Sequence, residues 1–559
     1  MMMTSKICST LLFIVVLICC WGQAGAKSIV DSLHNLSVSG PGTVKATGES
    51  EICIFCHTPH GARSDVAYLW NRRDTTTVYT PYISSTLKAA VGQPTGSSRL
   101  CLSCHDGTIA PGAVISRSAE IPFTASMAGR SSNLGTNLAD DHPVSFDYSA
   151  AVAMPNSQLK AATSLPSKVR LDADGQMQCT ACHNPHNDQY GKFLVMSGIG
   201  GALCISCHQK TNWSSGSHAL STRTWNGTGP DPWPRSSYTT VADNACGSCH
   251  RPHSAAHPQR LLNYSVEETT CLVCHSGTVA AKNILTDLNK PYRHPVFSYT
   301  GVHDPAENYS GPVAKHVECV DCHNPHQANS TIYAAPLVPG RLQGVPAVTI
   351  ANSYISAATY EYEVCFKCHG DLTNNVLKDT PMAIPRYWTN TRDNRSKFNG
   401  VSYHPVMKPL NKITSGMLVA PWTAGSMVFC TDCHGSDSSG IRGSHGSIYP
   451  HILVKKYETS ATKAASYDPS NYALCFKCHN ESTLTGSSAK FPQHRRHFQA
   501  GMHCTYCHDP HGNPVNAGMI NFDVRPGVVS EKSGLPIQLK YPLGPRNTCV
   551  LVCHGKIHG

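Results

Sequence analysis

Past residue 26 every cysteine belongs to a close pair, and each pair is followed at once by a histidine. The first six triplets are Cys53, Cys56 and His57; Cys101, Cys104 and His105; Cys179, Cys182 and His183; Cys204, Cys207 and His208; Cys246, Cys249 and His250; and Cys271, Cys274 and His275. The last six are Cys319, Cys322 and His323; Cys365, Cys368 and His369; Cys430, Cys433 and His434; Cys475, Cys478 and His479; Cys504, Cys507 and His508; and Cys549, Cys553 and His554. Eleven follow C-x-x-C-H, and the twelfth, CVLVCH, has one extra residue between its cysteines. A disulfide framework would need no fixed histidine, and a zinc site would pair half-sites without one. Two thiols about one helical turn apart, with an imidazole next in line, suit another task. They can form thioethers with the two vinyl groups of a haem while the histidine reaches the iron as proximal ligand. The pattern predicts twelve covalently attached haem c groups. The longer spacer at Cys549 still leaves both thiols on one helical face.

The sixth position of each iron needs a second donor. The chain has 31 histidines, 19 more than the motifs use. Several recur in set contexts. His60, His186, His253, His326 and His511 stand three residues past a motif histidine, behind a proline that stiffens the link. Such a histidine is expected to reach a neighbouring haem, since its own already has the motif histidine. His142, His294 and His404 each open the tripeptide HPV, and His445 lies in the glycine-rich GSHGS. His218 occupies the place of HPV in its repeat. His494, His497 and His503 compete within FPQHRRHFQAGMH, His316 precedes Cys319 by three residues, and His34 and His558 lie near the two ends. His257, His303 and His451 have no recurring context and are expected to be structural. The methionines bear no recurring relation to the motifs. Bis-histidine ligation is therefore expected, with the low reduction potentials it brings.

These residues need elements to position them. The N-terminus comes first: Lys6 supplies a positive start, Ile7 to Trp21 an apolar run, and Ala24-Gly25-Ala26 a small-residue cleavage pattern. Residues 1–26 read as a secretory signal peptide, too short to span a membrane comfortably. No later stretch is long and apolar enough to cross one. The protein is expected to be exported, to the periplasm or the cell exterior.

The remaining motifs alternate, one with a trailing PH followed by one without it, which is an internal repeat. Six two-haem units are expected, over 27–165, 166–235, 236–305, 306–410, 411–490 and 491–559. The fifth replaces PH with the His445 segment. Only about 44 residues serve each haem, too few for a conventional core. With 43 glycines and 37 prolines, the expected fold is mostly irregular coil, with short helices at the motifs and little sheet. An elongated chain of haems would supply much of the core. The formal charge of +10 would alone suggest an acidic partner. Two propionates per haem reverse that balance, so nucleic acid is not expected as a partner, and the lysines and arginines read as internal counter-charge.

The doubled pattern CxxCHxPH then CxxCH resembles the doubled-motif multihaem c-type cytochromes of metal-reducing and sulfur-metabolising bacteria. The resemblance covers essentially the whole chain beyond the leader. One subgroup is also similar in SLHNLSVSGPGTVKA (32–46), YLWNRR (68–73), YTPYISSTL (79–87) and GQPTGSSRLCLSCHDGT (92–108). The resemblance implies long-range electron transfer in the periplasm or outside the cell. It implies redox partner proteins or extracellular acceptors such as metal oxides. The assemblies it implies are a homo-polymer or an outer-membrane conduit. In this reading the protein is an electron carrier, not an enzyme, and no residue is assigned a catalytic role. The alternative is a multihaem reductase of a nitrogen or sulfur oxyanion, which needs one iron with an open position. The irregular site at Cys549 is where that iron would be sought. A terminal histidine, His34 or His558, is a candidate ligand to a neighbouring subunit.

Overall fold

The computed structural model describes residues 28–74, 76–299, 301, 303–304, 307, 316–370, 377, 381–410, 413–486, 492–539 and 549–558. The leader expected over residues 1–26 lies outside them. The chain divides into two compact units. Met1–Lys210 with Asn244–Asn263 form one and carry the first five cysteine motifs; Thr211–Asp243 with Tyr264–Gly559 form the other and carry seven. The two motifs expected to share 236–305 therefore fall in different units.

Regular structure is short and clings to the motifs. In the first unit Cys53–Phe55 is a single 3-10 turn, Gly96–His105 an α-helix, Cys179–Cys182 one helical turn, Ala202–Cys207 a short helix and Ala245–Ser248 a 3-10 turn. In the second unit the helices Glu267–His275, Cys319–Cys322 and Glu361–His369 carry three motifs. The 3-10 turns Cys430–Asp432, Cys475–Lys477 and Cys504–Tyr506 carry the next three. Local capping explains some of these starts. Asp321 and Asp432, inside CVDCH and CTDCH, accept from the backbone N–H of Glu318 (2.7 Å) and Phe429 (2.9 Å), three residues back. Glu363 does the same for Tyr360 at 3.0 Å.

Sheet is confined to small ladders. Phe146–Asp147 pairs with Gln176–Met177 in the first unit. In the second, Tyr292–Arg293 pairs with Gly446–Ser447, and Ala347–Val348 with Tyr354–Ile355. One larger sheet forms near the C-terminus, where Cys549–Cys553 is flanked by Lys556–His558, Val529–Ser530 and Gln538–Leu539. The helical turn expected at the twelfth motif is thus a β-strand. Its residues CVLVC are apolar and β-branched, which favours a pleated, half-buried position.

The apolar core is split into small clusters. The first unit holds Phe146, Tyr148, Ala151, Val169, Met177, Ala181 and Cys207 in one, and Ala46, Ile54, Phe55, Val114 and Ile121 in another. The second unit gathers Tyr506, Phe522, Val528, Val529, Ile537 and Leu551 against its C-terminal sheet. Clusters of this size bury too little apolar surface to offset the ordering of so much coil. The architecture is that of a multihaem cytochrome c, mostly coil with short helices at the motifs and little sheet. No helix among the described residues is long and apolar enough to cross a membrane.

Candidate haem sites

The motif histidines of alternate sites share one local construction. His57 Nδ1 meets the carbonyl of Tyr68 at 2.6 Å, His183 that of Lys192 at 2.9 Å, and His250 that of Arg260 at 2.7 Å. His434 meets His451 at 2.8 Å and His508 meets Gly518 at 2.8 Å. A carbonyl only accepts, so Nδ1 carries the proton and Nε2 keeps its lone pair for a metal. The acceptors have left-handed backbones, from φ 51° at Lys192 to φ 74° at Tyr68. The apolar residue after each does too: Leu69, Phe193, Leu261, Ile452 and Met519. The third residue, Trp70, Leu194, Leu262, Leu453 or Ile520, closes an antiparallel bridge back to the histidine. Left-handed backbone at a non-glycine residue costs about 1–2 kcal/mol, which marks the turn as held by its surroundings. A weak sequence signal exists and was missed: the triplets YLW, KFL, RLL, HIL and GMI each end in two apolar residues. At a sixth site His323 Nδ1 lies 3.0 Å from the Arg341 carbonyl.

Across from the motif histidines stand second histidines. A first-row metal–imidazole bond is about 2 Å, so two coaxial rings sharing one iron bring their centroids to roughly 6 Å. In the first unit His57 faces His186 at 6.1 Å, His105 faces His34 at 6.1 Å, His183 faces His253 at 6.1 Å and His208 faces His142 at 6.2 Å. In the second, His275 faces His218 at 6.1 Å, His323 faces His445 at 6.0 Å and His369 faces His294 at 6.4 Å. There too His434 faces His511 at 5.8 Å, His479 faces His404 at 6.0 Å and His508 faces His494 at 6.0 Å. These residues fit an iron held between two imidazoles. Burial pushes the ring pKa values down, and the opposing histidine adds to the effect. His208 and His369 fall to about 3, and His34, His275, His434, His445, His479 and His508 to about 4. These eight rings are therefore neutral at neutral pH, the form that binds a metal.

A simple offset emerges. His186, His253 and His511, which trail one motif behind PH, face the motif histidine two sites earlier. His34 and His558, read as candidates for a neighbouring subunit, both face a histidine of their own chain. His60 is exposed and faces no histidine among the described residues. His326 lies beside Trp213, with ring centroids 6.2 Å apart. His503 is spent elsewhere: Nδ1 meets the Tyr472 hydroxyl at 2.9 Å and Nε2 the Thr462 carbonyl at 3.0 Å. His316 lies apart, with His303, in a cluster of carboxylates.

The last site differs. Four residues of extended strand separate the Cα atoms of Cys549 and Cys553 by about 13 Å, roughly twice the span of a helical turn. His554 leaves the strand with φ 45°, and its ring packs 4.7 Å from Tyr506. His558 pairs with Leu551 across the ladder, so it shares the strand face that carries Cys549 and Cys553. His497 meets it there, ring centroids 6.2 Å apart and planes 26° from parallel.

Contacts between motifs fall both across the expected unit boundaries, through thiols, and within the units, through lysines. The Cys101 thiol interacts with Cys179, Cys204 with Cys246, Cys365 with Cys430, and Cys475 with Cys504. The lysines of both CFKCH motifs reach back to the preceding motif. Lys367 Nζ donates to the Asp321 carbonyl, and Lys477 Nζ to that of Asp432 at 2.6 Å.

Two comparisons bear on this arrangement. The family model of the doubled CXXCH motif matches residues 173–212 and 239–280, the stretches that hold the third to sixth cysteine pairs. A curated protein named multiheme cytochrome MtrA, from Shewanella baltica (strain OS185), is 30% identical over 161 residues. That stretch is 27% of this chain and 36% of the relative, so the match spans about a third of the relative's length. With cysteine pairs on short turns, second histidines opposite the motif histidines and a doubled-motif match, the chain belongs to the multihaem c-type cytochromes and binds haem c covalently.

Proposed function

We propose that this protein is a dodecahaem electron carrier that works outside the cytoplasm, in periplasmic or extracellular respiration. One observation carries the reading: ten motif histidines each face a second histidine at 5.8–6.4 Å. Two imidazoles so placed would both bind one iron and leave it no open position for a substrate. The haems, when bound, accept and release single electrons. The chain does the rest. Cysteines Cys53 through Cys553 would tether the groups, carbonyl contacts at Nδ1 hold the rings in place, and burial favours the neutral form of rings such as His208 and His369. The thiol contacts at four pairs of successive motifs would hold their haems as neighbours, which suits transfer along the chain.

At the twelfth site His497 and His558 would hold the iron in this reading, and His554 would not. The leader-like N-terminus supports export. The relative's printed name, a multiheme cytochrome, supports multihaem electron transfer. Redox partner proteins or external acceptors such as metal oxides are the proposed partners, and a homo-polymer or an outer-membrane conduit the proposed assemblies.

The competing reading, a reductase of a nitrogen or sulfur oxyanion, is favoured by His554, which faces no second histidine among the described residues. Haem counting by pyridine haemochrome and intact mass, followed by electron paramagnetic resonance and carbon monoxide binding, tests both. Twelve low-spin haems that leave carbon monoxide unbound are expected. A high-spin iron that turns over nitrite or hydroxylamine would overturn the carrier reading.

A further inference from the structure

His303 and His316 meet in the second unit, their ring centroids 6.5 Å apart. His303 Nδ1 lies 3.2 Å from Glu318 Oε2, 3.8 Å from Asp321 Oδ1 and 4.0 Å from Glu307 Oε2. His316 Nε2 lies 3.2 Å from Glu307 Oε2, and 4.0 Å from both Glu318 Oε2 and Asp321 Oδ2. Ligand atoms of His303, Glu307, His316 and Asp321 all fall within 4.8 Å of one another. The backbone N–H of His303 meets Glu267 Oε2 at 3.2 Å, which ties the loop to the helix Glu267–His275.

The surroundings are rich in negative charge and poor in water. The Glu318 side chain is fully buried, and its Oε1 has no hydrogen-bond partner among the described residues. Glu268, next to Glu267, is 1% exposed, and neither of its carboxylate oxygens has one. Burial first, then the charges of Glu267, Glu318 and Asp321, push the Glu268 carboxyl up to about 7. A buried carboxylate without a partner costs several kcal/mol, and several gathered in one place cost more. A cation bound among them would offset that cost.

We infer that His303, Glu307, His316 and Asp321 bind one divalent first-row transition-metal cation of the zinc class, separate from the haem irons. Four donors about 2.1 Å from a tetrahedral metal stand roughly 3.4 Å apart; the two imidazoles lie 3.2–4.0 Å from the Glu307 and Asp321 carboxylates, and all four donors fall within 4.8 Å, so a small inward shift closes the shell. Two imidazoles in the set select against calcium and magnesium, which prefer all-oxygen shells. Glu318 supplies a further carboxylate at the same position. It directly precedes Cys319, and Asp321 lies between Cys319 and Cys322, so the ion would brace that attachment turn. Its charge would also act on the neighbouring haem.

The test uses the intact holocytochrome. Zinc, manganese, cobalt, nickel and copper are measured per chain by plasma mass spectrometry, with non-haem iron taken as the excess over pyridine haemochrome. The protein is then stripped with dipicolinate and titrated with Zn²⁺ by calorimetry, alongside His316→Ala and Glu307→Gln. About one Zn²⁺ per chain is expected to bind the native protein. Each variant should bind it at least 10-fold more weakly, with the haem count and Soret band unchanged. If His316→Ala fails to take up haem, Glu307→Gln decides, because it changes one charge and almost no volume. Native protein that binds no Zn²⁺, or variants that bind as tightly as native, would show only protonated histidine–carboxylate pairs and overturn the assignment.

Discussion

His218 Nδ1 donates to the carbonyl of Pro325, 2.9 Å away, and Pro325 immediately precedes His326. The same link joins His34 to Pro185 at 3.3 Å, beside His186, and His404 to Pro510, beside His511. Where the fifth repeat lacks PH, His294 reaches the carbonyl of Ser444 at 2.7 Å, beside His445. At His34, His404 and His294 the ring assigned to one iron is thus oriented by the residue just before a ring assigned to another. Proline suits this role, since its fixed φ holds its carbonyl and the next side chain in a set relation.

Removing such a histidine should be felt at two irons. In His404→Ala the iron opposite His479 loses its second ring and is expected to become high-spin and bind carbon monoxide. The ring of His511 loses a neighbour that anchors its backbone, at a cost of about 1 kcal/mol. Resonance Raman and electron paramagnetic resonance should report one new high-spin signal of twelve. An unchanged low-spin spectrum would refute the pairing.

Asp141 sets the electronics of a different pair. Its buried carboxylate lies 3.0 Å from Nδ1 of His253, which faces His183. A carboxylate acceptor makes the imidazole a stronger donor to iron and favours the ferric state. Asp141→Asn removes the charge and keeps the shape. One midpoint potential should rise by about 40 mV, equivalent to roughly 1 kcal/mol for one electron. Redox titration followed in the Soret band measures it.

Glu361 makes stability depend on pH. It is 2% exposed, and Thr431 Oγ1 donates to its Oε1. Burial pushes its carboxyl from an ordinary 4.5 up to about 7, against the opposing effect of that hydrogen bond. Below pH 4.5 the folded and unfolded chains are both protonated here. Between 4.5 and 7 the unfolded chain releases the proton and the folded chain keeps it, so stability falls as pH rises. The loss levels off above 7, at about 3 kcal/mol. Glu361→Gln should flatten this contribution in denaturant unfolding measured from pH 5 to 8. A variant with the slope of the native protein would exclude Glu361 as its source.

The two candidate ligands at the last site can be separated directly. In His558→Ala the twelfth iron should turn high-spin, whereas in His554→Ala it should stay low-spin. Charge-transfer bands in the near infrared distinguish the two. The reverse outcome would place His554 on the iron and His558 off it.

Much of this protein is legible in one dimension. The cysteine pairs and their histidines could be read directly because thioether attachment needs donors within one turn of chain, and local spacing records that. Proline and glycine content, and the few residues available per haem, announced short elements and little sheet. Which second histidine meets which motif histidine was not legible. His186 lies 129 positions from His57, and nothing in either neighbourhood encodes the other. Only the folded backbone sets such distances. His34 and His558 looked like ends reaching outward, but the fold turns both inward because their partners, His105 and His497, lie on helices beside them. The strand at Cys549–Cys553 escaped the motif reading for a similar reason. Three other strands pair with CVLVC, and that ladder outweighs the helical turn its cysteine spacing suggested. His303 had no recurring context, and His316 stood out only for preceding Cys319 by three residues. Their meaning came only when tertiary packing gathered them with Glu307, Glu318 and Asp321, because a charge cluster is a property of space and not of sequence.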